Sequence, residues 1–518
     1  MPVDKVIVTN TSALKAKYGD KYARVKTAID KLIAADKARG LTTRLIAIDV
    51  EADMKRLRAQ PVVAIADQQG AKAAVDAIYK RHQPDYILLL GAPDVVPHID
   101  LSNPMTGTAD DDDDPTVPSD VPYACDAVWS RRPQDFVGPT RVVGRLPDLA
   151  GAQDPAYLVK LLGTATRYAS RDRTAYSGHL AITAKLWTKS TTETATNLFG
   201  PASSVFTSPP NGPNWTTTQL AARLHFINCH GDTVSPEFFG EFPKGHFPVA
   251  HKARRLPGRI KAGSVVAAEC CYGAELYDPR HAAGQAGICS TYLGEGAYGF
   301  LGSTNIAYGP SEGQGQADLI CQYFVESVLK GASLGRAALE ARQRFVAQFS
   351  HVDPSDLKTA VQFILLGDPS VQPVKAVAHA LSRTKAVKSA CRSGRIRYDT
   401  RGFRRERLVR AGSNLSRTMG AAIPADIRIS PAIARFLRQT AKESGIRRPV
   451  FRSFRVSFPR VTGSPGIARL HSRRRNRTIH MVIGGRVAGS QSTRHGVSAI
   501  IVTIEAGRIA HVRRVHSR

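Results

Sequence analysis

Two short segments of this 518-residue chain carry the residue types of nucleophilic catalysis. Leu224-His225-Phe226-Ile227-Asn228-Cys229 is strand-like and delivers His230-Gly231. Further on, Ser264-Val265-Val266-Ala267-Ala268-Glu269 delivers Cys270-Cys271-Tyr272-Gly273. Were the two strands adjacent and parallel, a histidine and a cysteine would stand side by side at the carboxyl edge of a sheet. A cysteine nucleophile needs that arrangement: imidazole removes the thiol proton and later protonates the leaving amine. Gly231 lets the backbone come close to a substrate, and its N–H and that of the cysteine are candidates to stabilise an oxyanion. Successive strand residues point to opposite faces, so Cys270 and Cys271 cannot both meet His230. Cys229, which alternates with His230, reads as core. Asp94, Glu269 and Asp232 are candidates to orient His230, and spacing does not choose among them.

The elements that must hold these groups follow from periodicity. Val3 to Thr9, Thr43 to Val50 and Tyr86 to Leu90 read as strands, separated by helical spacing over Ser12 to Arg39 and Gly70 to Arg81. The nearly all-apolar Tyr86 to Leu90 is what a strand covered on both faces should look like. Strands alternating with helices predict an α/β layer with a parallel sheet. A long loop from Pro97 to Pro139 follows, then a helix over Leu158 to Tyr168 and a second α/β series beginning at His179. That series includes strands over Arg223 to Asn228, Ser264 to Ala268, Ala297 to Leu301 and Phe363 to Leu366, with helices over Gln316 to Lys330 and Leu334 to Phe349. Domains are therefore expected at 1–150 and 151–375, with a basic linker over 376–420 and a small basic α+β domain over 421–518. In that last part Pro431 to Glu443 reads as a helix, and Val450 to Phe458, Thr478 to Ile483 and Ser498 to Ile504 as strands.

With 42% hydrophobic and 22% charged residues, the chain is too apolar for general disorder. No apolar run approaches the roughly 20 residues of a membrane span, and no signal peptide is visible, so a cytoplasmic location is expected, with non-classical secretion left open. Seven cysteines without paired spacing argue against both a disulfide framework and a zinc site. A phosphate-handling enzyme is disfavoured because no Gly-rich phosphate loop is present. The net charge of +29 is unevenly placed: residues 381–518 hold 32 Lys+Arg against 5 Asp+Glu, which leaves the first 380 residues at +2. Phe451, Phe454 and Phe458 interleave with Arg452, Arg455 and Arg460, a pattern that suits a surface for nucleic acid or another polyanion, or an anionic membrane.

A hydrophobic strand ending in His-Gly, followed by one ending in Cys, resembles the caspase-like (clan CD) cysteine peptidases, and more narrowly the gingipain-type peptidases of family C25. The resemblance is carried by Tyr86-Ile87-Leu88-Leu89-Leu90-Gly91, Ser119-Asp120-Val121-Pro122-Tyr123, Val143-Gly144-Arg145-Leu146-Pro147, His230-Gly231, Cys270 to Gly273, the run from Gly296 to Gly309, and Leu366-Gly367-Asp368-Pro369-Ser370. It covers about residues 3–375 and implies two tandem parallel-sheet α/β subdomains, the second caspase-like. It also implies an endopeptidase with a Cys–His dyad and a thioester intermediate, acting on protein or peptide substrates. Cys270 gives the gingipain spacing Cys-x-x-Gly and Cys271 the caspase spacing Cys-x-Gly, so Cys270 is the expected nucleophile and Cys271 its alternative. Ser303 and Thr304 are candidates for the substrate groove, and Asp120 and Tyr123 for bracing the subdomain interface. No cofactor is required. The acidic run Asp110, Asp111, Asp112, Asp113 and Asp114 suits a structural calcium ion, which related enzymes carry. The basic C-terminal region lies outside the family pattern. The competing reading is an inactive caspase-like scaffold whose Arg-rich region binds a polyanion.

Overall fold

In the computed structural model, residues 3–106, 112–310, 313–376, 400–459, 478–487 and 497–518 are described. Ten strands form one continuous sheet: β1 (Lys5–Thr9), β2 (Thr43–Ala47), β3 (Tyr86–Leu90), β4 (Val143–Leu146), β5 (His179–Ala184), β6 (Phe206–Ser208), β7 (Leu224–Asn228), β8 (Val265–Ala268), β9 (Gly299–Ser303) and β10 (Phe363–Gly367). Their spatial order is β2-β1-β3-β4-β10-β9-β8-β7-β5-β6, so the two expected α/β series share a single sheet. Pairing is parallel along β2-β1-β3-β4 and along β9-β8-β7-β5-β6, while β10 runs antiparallel to β9. The five residues of β3 are all buried, as a strand with helices on both faces requires. The single helical stretch read over Ser12 to Arg39 is two helices, Thr11–Tyr18 and Tyr22–Ala38. Gly19, at φ 51°, breaks it, because the left-handed region admits glycine at no steric cost.

A second sheet of seven strands lies in the order Tyr308–Pro310, Arg508–Ser517, Val497–Glu505, Thr478–Val487, Ile446–Ser457, Gly420–Pro424, His351–Val352. Its five inner strands come from the basic region and its two edges from the body, which closes both edges against stray pairing. Helix Pro431–Glu443, capped by Ser430, buries Ile433, Leu437 and Ala441 on Ile483, Ile500 and Val502. The segment read as a linker contains a helix, Thr400–Thr418, docked on the body. Gln343 donates to the carbonyls of both Pro139 and Leu408, at 2.8 Å each. Gly138 and Gly412 permit the close approach: a Cβ on Gly412 would sit 2.1 Å from the Pro139 carbonyl oxygen. Among the described residues no helix is long and apolar enough to cross a membrane.

The long loop after β3 is tied down by buried charge. Arg145, fully buried on β4, forks onto Asp120 at 2.5 and 2.8 Å and donates to the carbonyls of Gly91 and Val96. His98 completes the pair at 2.8 Å from Asp120, and Tyr123 donates to the Pro97 carbonyl. Burial alone would raise the Asp120 carboxyl, but Arg145 and His98 outweigh it and hold it well below the usual carboxylate range. A depressed carboxylate stabilises the fold above about pH 4 and loses that contribution as pH falls further. Arg145→Met leaves Asp120 buried without its main partner and is expected to cost roughly 3–5 kcal/mol. Urea unfolding at pH 7 checks the loss, and the gap between variant and parent should narrow below pH 4.

Candidate active site

Strands β7 and β8 are adjacent and parallel, with Leu224 opposite Val265 and Ile227 opposite Ala268. Their carboxyl ends therefore bring His230-Gly231 and Cys270-Cys271 to one edge. Gly231 allows contact: a Cβ there would lie 1.7 Å from the Cys271 carbonyl oxygen. The two cysteines face opposite sides. Cys270 Sγ lies 3.7 Å from the Ile227 carbonyl, in the same core as Cys229 and Val266. Cys271 belongs to the core on the other face, where its Sγ accepts the Ala307 N–H at 3.2 Å. Burial raises both thiols, that of Cys271 to about 12.

What occupies this edge is Arg518. The main-chain oxygen of Arg518 accepts the Cys271 N–H at 2.9 Å and the Gly231 N–H at 3.3 Å, and its N–H donates to the Ala307 carbonyl at 3.0 Å. The Arg518 guanidinium enters a buried recess and reaches both Asp318 oxygens, at 3.2 and 3.3 Å. It lies over the Trp187 ring at 4.3 Å.

His230 is held by Glu241, whose Oε2 is 2.8 Å from Nε2, and by the rings of Trp187 and Phe247 at 4.3 and 4.9 Å. Glu241 is fixed in turn by the Gly245 N–H at 2.8 Å. Burial lowers the His230 pKa, Glu241 opposes that, and the Arg518 charge adds to the lowering. None of the three carboxylates read as candidates fills the orienting place. Asp94 pairs with Lys17 at 2.7 Å, Asp232 accepts the Thr233 N–H, and Glu269 lies buried beside Asp318. Glu241 escaped sequence reasoning because it stands past His230 in a loop without periodicity, and only the fold returns it to the imidazole. Asp318, on helix Gln316–Leu329, and Trp187, just before helix Thr188–Phe199, also reach this place only through the fold.

Ser303 and Thr304 spend their hydroxyls on main-chain carbonyls, those of Asn305 at 2.6 Å and Pro118 at 2.7 Å. They brace the loop that presents Ala307. Of the acidic run, Asp110 and Asp111 lie outside the described residues, and Asp113 is exposed. Asp112 is buried and bonds the Lys358 ammonium at 2.5 Å and the Tyr308 hydroxyl at 2.8 Å. Asp114 accepts from Tyr272 Oη at 2.7 Å, the Ile306 N–H at 2.9 Å and Lys358 at 3.3 Å. An ammonium thus stands between the carboxylates read as calcium ligands. Among the described residues no group of three or more His, Cys, Asp or Glu is placed to hold a metal ion. The same bonds fix Tyr272, whose φ of 54° is unusual for a bulky side chain, and so set the turn after Cys271.

The geometry defines an α/β protein with a histidine and a cysteine on neighbouring strand ends and a paired N–H site between them. The family model described as "Peptidase family C25" matches residues 250–374, which bears out the gingipain-type resemblance over that stretch. No curated protein matches the chain. Among solved structures, one titled "Structure of Protease" aligns over 100% of this chain and 98% of its own, at 12% identity and a TM-score of 0.47. The Saccharomyces cerevisiae separase–securin complex aligns over 47% of this chain and 14% of that one, at 15% identity and a TM-score of 0.28.

Two outcomes are expected here. Glu241→Gln removes the charge that pulls the His230 pKa upward, so the imidazole should titrate at lower pH than in the parent; NMR of the His230 ring protons checks the direction. Gly231→Ala forces its Cβ onto the Cys271 carbonyl and should cost about 1–3 kcal/mol, read as a lowered thermal midpoint.

Proposed function

We propose that the chain is a cysteine endopeptidase that works by acyl transfer, with Cys271 as nucleophile and His230 as acid and base. The observation that carries this reading is the Arg518 main-chain oxygen, held at once by the Gly231 and Cys271 N–H groups. An oxygen in that place is where the charge of a tetrahedral intermediate develops. The N–H that joins Gly231 at this oxygen belongs to Cys271, which favours Cys271 over the expected Cys270 as nucleophile.

In the forward reaction His230 accepts the Cys271 thiol proton as sulfur attacks the scissile carbonyl. The carbonyl π electrons move to oxygen and are met by the two N–H groups. Collapse expels the amine, which takes the proton from His230, and leaves a thioester on Cys271. Water, deprotonated by His230, then releases the acid and regenerates the thiol. Glu241 holds the imidazole through Nε2 and stabilises its cationic form.

Single substitutions assayed with an electrophilic peptide probe test the assignment. Cys271→Ala and His230→Ala should each lower labelling and peptide hydrolysis by at least 100-fold. Cys270→Ala should keep a substantial part of both. Labelling that survives Cys271→Ala and is lost in Cys270→Ala would return the nucleophile to position 270.

A further inference from the structure

We infer that the cavity between residues 93–98 and the turn after Cys271 binds an organic ammonium, a primary amine on an apolar body, and that its occupant tightens the loop after His230-Gly231. The chemistry of this cavity stands whether or not the chain cleaves peptides.

The cavity measures about 490 Å³, within the range of small-ligand sites. Ile65, Pro93, Pro97, Pro118 and Leu276 give it apolar walls, and the three prolines bring no main-chain N–H. The polar side chains of its wall spend donors on the protein. Gln68 Nε2 donates to Asp100 at 2.6 Å, Thr304 Oγ1 to the Pro118 carbonyl at 2.7 Å, and His98 Nδ1 bonds Asp120 at 2.8 Å. His98 is only 8% exposed, and the Asp120 bond leaves Nε2 for the cavity that the ring lines. With its proton on Nδ1, a neutral imidazole accepts there. Asp100 and Glu275 add carboxylates held by neutral donors, Gln68 for the one and Thr233 and Val234 for the other. What remains is a set of acceptors with excess negative charge against apolar walls. The group that satisfies it brings N–H donors and a positive charge on an apolar body. An anion is repelled, and an alcohol lacks the charge.

Glu275 joins the cavity to the loop after His230-Gly231. Its carboxylate accepts the Thr233 hydroxyl at 2.8 Å and the Val234 N–H at 2.6 Å. Val234 stands at φ 52°, in the left-handed region, which a β-branched residue keeps only where its surroundings hold it. Burial pushes the Glu275 carboxyl up to about 7; the charges of Asp114 and Asp232 add to the rise, and the Val234 and Thr233 bonds oppose it. Near neutral pH the clamp on Val234 is thus divided between a carboxylate and a weaker, protonated acceptor. A cation in the cavity favours the carboxylate, so its binding takes a proton off Glu275 and strengthens the hold on Val234.

Calorimetry on the full-length protein at pH 7 tests the site, with isopentylamine as the probe and isopentanol and isovalerate as its uncharged and anionic counterparts. The amine should bind at least tenfold more tightly than either, with a heat that differs between phosphate and HEPES buffers because a proton is released. Asp100→Asn and Glu275→Gln should each weaken the amine at least fivefold, and Glu275→Gln should also remove the buffer difference. Equal binding of amine and alcohol, undetectable binding of the amine, or binding that neither substitution weakens overturns the site. Should both variants fail to fold, Ile65→Arg sets a guanidinium at the mouth, where the side chain is 38% exposed, and should weaken the amine as much. Unchanged binding in that variant overturns the site as well. Leucinamide separates the two sources of such a group, and both results support the site: tighter binding than isopentylamine identifies a peptide N-terminus, weaker binding a free amine. Hydrogen exchange reads the coupling. Saturating isopentylamine should slow exchange of the Val234 amide at least threefold in the parent and not in Glu275→Gln; unchanged exchange in the parent overturns the coupling.

Discussion

The parallel pairing of β7 with β8 is the constraint on which the site depends. Leu224 opposite Val265 sets both strands to end at the same height, so the residues that leave them, His230 and Cys271, emerge together. A slip of one residue would exchange the faces, and so the two cores, that Cys270 and Cys271 enter. Around that register, β9 supplies the loop that holds Cys271 Sγ through the Ala307 N–H. The segment between β7 and β8 supplies Glu241 to His230. Each piece is fixed to a neighbouring strand end, so the geometry is set by a rigid sheet and not by a free loop.

Buried basic side chains join the remaining parts. Lys358 links the acidic loop to the turn after Cys271 through Asp112 and Asp114. Arg145 closes the long loop after β3 on Asp120. Arg513 and Arg518 bind the last strand to Asp353, Asp356 and Asp318. Each pair carries its charge inside the protein, where removing one partner costs more than the pair itself contributes. Part of the strong positive charge of the C-terminal region is thus turned inward. Arg455 and Arg508 remain exposed, Phe454 is core, and Phe451 stays at the surface.

The two sheets depend on one another through their edges. Tyr308–Pro310 and His351–Val352 belong to the body by sequence and to the second sheet by hydrogen bonding. The C-terminal region is therefore joined to the body by main-chain pairing as well as by ion pairs. The strand that leads to Arg518 is held by Val497–Glu505 on one side and by Tyr308–Pro310 on the other.

Local pattern was enough for much of the body. The apolar run of β3, the two strands ending in His-Gly and Cys-Cys, and helix Pro431–Glu443 with its Ser430 cap could all be read from neighbouring residues, because periodicity and capping act over a few positions. So could the arrival of His230-Gly231 and Cys270-Cys271 at the ends of two strands, which the fold places side by side. Which core each cysteine enters needed the fold, since Cys270 and Cys271 differ by one residue and by a whole face of the sheet. The choice of Glu241 over Asp94, Asp232 and Glu269, the ammonium of Lys358 between Asp112 and Asp114, and the meeting of Arg518 with Asp318 are contacts between residues far apart in the chain. Charge and burial at such contacts come from three-dimensional packing, which local spacing does not encode.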